Sequence, residues 1–277
     1  MNPIDRALWY IESHLTSEIT LDEVAVVSGI SRFHLCRVFG IATGQSFSRY
    51  LRGRRLTEAA RVLSNGAPDI LSVALDVGYG SHEAFTRAFR DQFETTPEQV
   101  RGRRSIDHLV LVEPIMLDNS LITTLEPPRS ESRKPFLVAG FAERINCETS
   151  VGIPMLWQKL GPHFGHVPGE VGKLAYGVCY NGDDAGNFDY MAGVEVRDFS
   201  DLPPEFARLR IPEQNYLVFS HREHISTIRR TVNTIWNKWL PESGRHAADG
   251  PNFELYPEEF SGDTGLGGLE IWVPVKE

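Results

Sequence analysis

Through the first third of the chain apolar residues return every three or four positions, and beyond it they gather into short runs separated by turn residues. Pro3 to Leu15 carries Ile4, Leu8, Ile11 and Leu15 on one stripe with Trp9 nearby, and predicts a helix. Thr20 and Glu23 have the spacing of a capping box and open a helix through Val24, Ala25 and Val27 that stops at Gly29. Ser31 opens the next, whose stripe Leu35, Val38 and Phe39 faces inward. Ser46 to Leu63 predicts a long helix, apolar along Phe47, Tyr50, Leu51, Leu56, Ala59 and Leu63. Asp69 caps a helix through Ile70, Val73, Ala74 and Val77, Gly78 ends it, Tyr79 and Gly80 complete the turn, and Ser81 caps a helix with Phe85, Ala88 and Phe89 on its apolar side.

Setting Ala25 and Gly29 beside Ala74 and Gly78 gives the same four-residue interval at an offset of 49 residues. A short helix, a tight turn and a second amphipathic helix thus occur twice, which is the grammar of a tandem helix-turn-helix. Each second helix leaves a free face. In the first it holds Arg32, Phe33, Cys36 and Arg37; in the second it holds His82, Glu83, Thr86, Arg87 and Arg90. Such a face taken alone is also what simple solvation produces, and Phe33 is also compatible with packing on a neighbouring helix. The connecting helix spans about 27 Å, close to the ~34 Å turn of B-DNA, so the two free faces fit successive major grooves.

After Pro97 the helical pattern fades. Arg101, Arg103 and Arg104 form a basic tail before the strand-like run Leu109 to Val112, which puts a boundary near 105 to 115 and domains at 1–105 and 115–277. Leu121–Leu125, Phe136–Phe141, Leu174–Tyr180, Met191–Val196, Phe206–Ile211, Tyr216–Ser220 and Leu269–Val273 predict strands, and Pro154–Leu160 and Ile225–Leu240 helices. The expected architecture is multidomain: an all-α tandem helix-turn-helix domain, then an α+β antiparallel sheet with helices on one face.

Charge sharpens this division. The chain of 277 residues has a net charge of -9, yet residues 1 to 105 carry 13 Arg against 12 acidic residues, so the acidity lies in the second domain. Five of those arginines, Arg49, Arg52, Arg54, Arg55 and Arg61, fall in the connecting helix. Phosphate attraction is screened over about 8 to 10 Å, so a local cluster counts for more than a sum, and Arg52 and Arg55 are candidate phosphate clamps. Cys36, Cys147 and Cys179 have no metal spacing and read as reduced thiols. No apolar run reaches the ~20 residues that span a bilayer and no leader pattern opens the chain, so no membrane partner and a cytoplasmic location are expected. His163 and His166 lie among Gly161, Pro162 and Gly165, which favours a loop over a metal site. No nucleophile elbow or phosphate loop occurs, so neither a cofactor nor catalysis is expected.

The run GYGSHEAFTRAFRDQFETTP resembles the signature of the AraC/XylS transcription regulators. The resemblance implies binding of double-stranded DNA and contact with RNA polymerase, with a DNA-facing side chain at Phe33 and base or phosphate contacts at Cys36, Arg37, His82, Thr86 and Arg87. Cys36 departs from the longer polar residue expected there and cannot make a bidentate base contact. Glu83 repels phosphate and needs cytosine N4 or a nearby Arg.

The end of the chain, with Trp236, Trp239-Leu240-Pro241, Phe253-Glu254-Leu255-Tyr256 and Glu270-Ile271-Trp272-Val273-Pro274-Val275, resembles the GyrI-like (SHS2-type) effector-binding domain. That implies a small organic effector, cationic or amphipathic, in an aromatic cleft with a buried Glu. Glu254 is the expected acid and Tyr216, Trp236 and Tyr256 the expected walls. Trp157, Tyr176, Tyr190, Phe219, Trp272 and the alternative acid Glu195 are further candidates, each also compatible with ordinary core or surface. Aromatic faces attract a cation, and a carboxylate is buried at lower cost when a ligand brings the opposite charge. The rival readings are a hydrolase of small electrophilic compounds, which the same resemblance allows, and a protein-interaction module.

Overall fold

The computed structural model describes residues 2–67, 69–117, 122–146, 152–183, 185 and 187–276. Seven helices come first: α1 (Pro3–Ser13), α2 (Leu21–Ser28), α3 (Arg32–Thr43), α4 (Phe47–Ser64), α5 (Ile70–Asp76), α6 (His82–Phe93) and α7 (Pro97–Arg103). Their starts follow from side-chain caps. Thr20 and Glu23 bond reciprocally ahead of α2, Ser31 and Ser81 accept from His34 and Ala84 at the starts of α3 and α6, and Thr96 with Gln99 repeats the capping box at α7. Gly29 leaves α2 at φ 71°, the left-handed conformation that glycine adopts without a Cβ penalty.

α4 is shared between two cores. Its first half places Phe47, Tyr50 and Leu51 against α1 to α3; its second half places Leu56, Ala59, Ala60 and Leu63 against Val73, Ala74, Phe85 and Phe89 of the second repeat. Gly53 has a packing reason, because a Cβ there would stand 2.8 Å from the Val112 side chain. The segment Leu109–Val112, expected as a strand, is irregular and runs along α4. Arg54 donates to the Val112 carbonyl at 2.8 Å, the Val112 amide donates to Thr57 at 2.9 Å, and the Ile115 amide donates to the Tyr50 hydroxyl at 3.3 Å. Farther along, the Thr123 amide donates to the Thr234 hydroxyl at 2.9 Å.

The second half holds β1 (Arg129–Arg133), β2 (Phe136–Asn146), α8 (Ile153–Leu160), β3 (Glu170–Tyr180), β4 (Asn187–Val196), β5 (Ala207–Ile211), β6 (Gln214–His221), α9 (Ile228–Thr234), α10 (Leu240–Ser243), β7 (Asn252–Tyr256) and β8 (Leu269–Val275). The strands form one antiparallel sheet in the order β1-β6-β8-β7-β3-β4-β2-β5. Residues 122–125, expected as a strand, have no regular structure, and Leu121 lies outside the described residues, as does Cys147. Between α9 and α10 the helix widens into a π turn, Ile235–Trp239, where Pro241 has no N–H to give to the carbonyl four residues back.

Strand alternation separates two faces. Tyr176, Val178, Met191, Tyr216, Val218, Phe253, Leu255 and Trp272 pack together on one. The other carries the helices, with Cys179, Tyr190 and Ala192 under α8 and Leu217, Phe219 and Ile271 under α9. That helical face also receives the first repeat: Leu35, Cys36, Val38 and Phe39 of α3 share an apolar cluster with Val232, Ile235, Trp236 and Leu240. Among the described residues no single helix is long and apolar enough to cross a membrane.

Candidate functional site

The free face of α6 is open. Phe85 and Phe89 are fully buried, while His82, Glu83, Thr86, Arg87 and Arg90 border a surface concavity of about 720 Å³ with Asp91 and Glu94. Arg87 and Arg90 are exposed, and His82 meets Glu98 at 3.3 Å. The surface mixes Arg87 and Arg90 with Glu83, Asp91 and Glu94, and the two exposed arginines are its groups suited to donate to base edges and phosphates.

The corresponding face of α3 is covered. The Cys36 thiol, expected to point outward, is buried and donates to the Asp183 carbonyl at 2.9 Å. Phe33 packs on the cluster that includes Ile153 and Trp157. Arg37 donates to the Asn252 side chain, and its guanidinium lies 3.6 Å from a carboxylate oxygen of Glu254, both side chains being 11% exposed. Arg32 stays outside, 3.5 Å from Asp22. His34, at the base of the helix, is fully buried with its ring 4.2 Å from that of Trp236; burial, and then the Arg37 charge, push its pKa down to about 3.

Glu254 is the centre of a built polar nest. Asn252, Glu254 and Tyr256 alternate onto the helical face of β7, and across the register Gly177 lies opposite Glu254. A Cβ on Gly177 would stand 2.2 Å from the Tyr190 hydroxyl, so the glycine makes the room in which Tyr190 reaches the carboxylate. The hydroxyls of Tyr190 and Tyr256 both donate to one oxygen of Glu254 at 3.0 Å, and the Trp157 indole N–H donates to Tyr190 at 3.0 Å. Burial and the neighbouring Glu254 charge raise both phenols well above their ordinary pKa, so each stays a donor.

Beside the nest lies a cleft of about 830 Å³ walled by Ile153, Trp157, Phe164, Tyr256 and Phe260, with the Lys173–Glu258 ion pair among its lining. The rings of Trp157 and Tyr256 stand 4.6 Å apart and those of Tyr256 and Phe260 4.8 Å apart. Tyr256 connects cleft and carboxylate. Among the described residues no group of three or more His, Cys, Asp or Glu is placed to hold a metal.

Of the expected effector residues, Glu254, Tyr256, Trp157 and Tyr190 come together. Trp236 and Phe219 share their face of the sheet but are buried, Trp236 under His34 and Phe219 against Trp239. Tyr176, Tyr216, Trp272 and Glu195 do not belong to this site, because the pleat sends them elsewhere. The three aromatics lie on the opposite face, and Glu195 pairs there with Arg133 at 2.7 Å. Arg133 stands 4.0 Å from the Phe136 ring and 5.5 Å from that of Trp272, so that face already has its cation. Sequence reasoning missed Phe164 and Phe260 of the cleft, which sit in loops without alternation, and it missed Arg133 and Asn252.

The arginine cluster of α4 also divides. Arg49 and Arg52 are exposed. Arg54 is buried and bonds Glu12 and Glu58, while Arg55, a candidate clamp, gives its hydrogens to the carbonyls of Leu15 and Ser17 and holds the α1–α2 turn in place.

Comparison with known proteins adds to this geometry. Residues 126–276 match the model of the GyrI-like small molecule binding domain, and residues 24–103 match that of a helix-turn-helix domain. The chain is 41% identical over 97 residues to the right origin-binding protein of Escherichia coli K12, an alignment spanning 35% of this chain and 33% of that protein's length. It is 39% identical over 94 residues to the regulatory protein SoxS of the same organism, spanning 34% of this chain and 88% of SoxS. A solved structure of SAV2435 bound to tetraphenylphosphonium is 18% identical with a TM-score of 0.46, covering 55% of this chain and 94% of that one.

Proposed function

We propose that this chain, which belongs to the GyrI-like small molecule binding family through residues 126–276 and to the AraC-type helix-turn-helix family of SoxS through its amino-terminal helices, is a transcription regulator with two DNA readers and an effector site. In this reading α6, with His82, Thr86 and Arg87, enters one major groove, α3 with Phe33 and Arg37 is built for the next, and Arg52 contacts phosphate. RNA polymerase is the further partner, since a bound regulator alters transcription through it. The domain limits are 1–105 and 115–277.

The observation that carries the effector reading is Glu254, a carboxylate nine-tenths buried beside an aromatic cleft. Two phenols donate to one of its oxygens and Arg37 lies beside the other, and a Coulomb field is little screened there. Such a site suits an organic cation with apolar arms: the arms take the faces of Trp157, Tyr256 and Phe260, and the carboxylate supplies the counter-charge. Binding fits better than hydrolysis, because one oxygen of Glu254 accepts from both phenols and the other faces Arg37, leaving no position from which it activates water.

The test is calorimetry of the intact chain with tetraphenylphosphonium and with neutral triphenylphosphine oxide. The parent protein is expected to prefer the cation, and Glu254→Gln to reduce that preference about tenfold or more, one close charge pair being worth over 1.4 kcal/mol in a desolvated site. An unchanged preference would remove Glu254 as the selector.

A further inference from the structure

We infer that the first reader is held out of DNA by the effector domain, with Arg37 acting as a built-in cation on Glu254, so that an organic cation and the docked helix compete for one carboxylate. The inference rests on the reading of Glu254 as the effector's counter-charge and adds how that site controls DNA binding.

Three contacts carry it, and each takes one of the outward side chains of α3. Phe33 lies in the apolar cluster with Ile153 and Trp157, both of which also wall the cleft. The Cys36 thiol is bonded to the Asp183 carbonyl. Arg37 is bonded to Asn252 and paired with Glu254. A helix packed this way cannot lie in a major groove about 12 Å wide, because a whole domain stands where the duplex would be. Among the described residues nothing covers the second reader in this way.

The chemistry of the contact is also that of the ligand. Arg37 brings a delocalised cation to Glu254, which Tyr256 links to the cleft, and Phe33 brings an aromatic ring to the apolar cluster that Ile153 and Trp157 share with it. A cation that neutralises Glu254 removes the reason for Arg37 to stay, and its apolar arms press on Trp157 and Ile153, which pack on the same cluster as Phe33. The undocked fraction then rises, and affinity for a two-groove site rises with it, since apparent affinity scales with the population of the competent state.

The experiment uses the full chain and a duplex enriched from a random pool by the protein in the presence of tetraphenylphosphonium. Cys36 is a reporter inside the contact, and its alkylation is followed by peptide mass spectrometry. Without cation, Glu254→Gln and Asn252→Ala should each speed Cys36 alkylation and tighten DNA binding about tenfold, Asn252→Ala doing so with the carboxylate in place. The cation should do the same to the parent and nothing further to Glu254→Gln. The inference is overturned if both variants alkylate and bind DNA as the parent does. It is overturned as well if calorimetry shows the cation bound while Cys36 and DNA affinity stay unchanged, an outcome that leaves the effector site standing. If the variants open but no cation binds, the competition is overturned and the effector reading falls with it.

Discussion

α3 and α6 are both twelve-residue helices, each capped by a serine and each anchored by inward residues three and seven places after its start, Leu35 and Phe39 in one, Phe85 and Phe89 in the other. They differ on the outside. Where α6 has the exposed Glu83 and a half-buried Thr86 whose hydroxyl is turned inside, α3 has Phe33 and Cys36, and these are the side chains packed against the second domain. Arg37 and Arg87 occupy the same place in the two helices, yet one is paired inside the protein and the other is exposed. A reading helix that meets only DNA is polar outward. One that alternates between DNA and protein carries apolar side chains there, and the cysteine that is poorly suited to a base edge is well suited to a carbonyl in a dry contact.

The largest effect expected from this difference separates the two arginines. Without effector, Arg87→Ala should weaken binding to the selected duplex by about 1 to 3 kcal/mol, the worth of a bidentate base contact, whereas Arg37→Ala, which loses its own base contact but also frees α3 from Glu254, should change it little. Equal losses in electrophoretic titrations without cation would break the comparison.

A smaller effect comes from pH. His34 is neutral in the docked state with its pKa at about 3, and once exposed it returns toward the ordinary 6.5. The docked state therefore binds fewer protons. Its full strength is present above pH ~6.5 and is lost as pH falls toward 3, by about 1.4 kcal/mol per unit within that window. At pH 5.5 the contact should be about tenfold weaker than at 7.5. An NMR titration of the imidazole checks this directly, with His34 titrating below 4 in the parent and near 6.5 in Glu254→Gln.

The smallest effects sharpen the comparison on α4. Arg52→Ala should weaken binding to all sequences alike and lower the slope of log affinity against log salt by about 1, as for one lost phosphate contact. Arg55→Ala should leave that slope unchanged and lower the melting temperature instead, because its hydrogens go to the carbonyls of Leu15 and Ser17.

The helices were legible because their signals are local: the periodicity of Ile4, Leu8 and Ile11, the box of Thr20 and Glu23, and the caps at Ser31 and Ser81 lie within a few residues of what they determine. β1 was not legible, since Arg129–Arg133 is a polar edge strand with one neighbour and no alternation. The effector nest was half legible. Glu254 and Tyr256 lie two apart on one strand and must share a face, but whether Tyr176 or Tyr190 joins them depends on register between strands, which places Gly177 opposite Glu254. The docking of Arg37 on Asn252 joins residues 215 apart and leaves no local trace. Its shadow was Cys36, which departs from the longer polar residue expected there, with the apolar Phe33 beside it.

The connection between the domains sets how strong that docking has to be. The chain is pinned to α4 where the Ile115 amide meets Tyr50 and to α9 where the Thr123 amide meets Thr234, with seven residues between. Fully extended, that stretch reaches roughly 28 Å, so the two pinned ends stay within one domain diameter of each other. A short tether of this kind gives its ends an effective concentration on the order of millimolar. At that local concentration even a modest affinity between the two surfaces keeps them together most of the time, and a small molecule has to overcome the contact and the tether together. Lengthening the tether with glycine and serine would lower that local concentration, and would retune the effector dose at which the first reader is released without altering either surface.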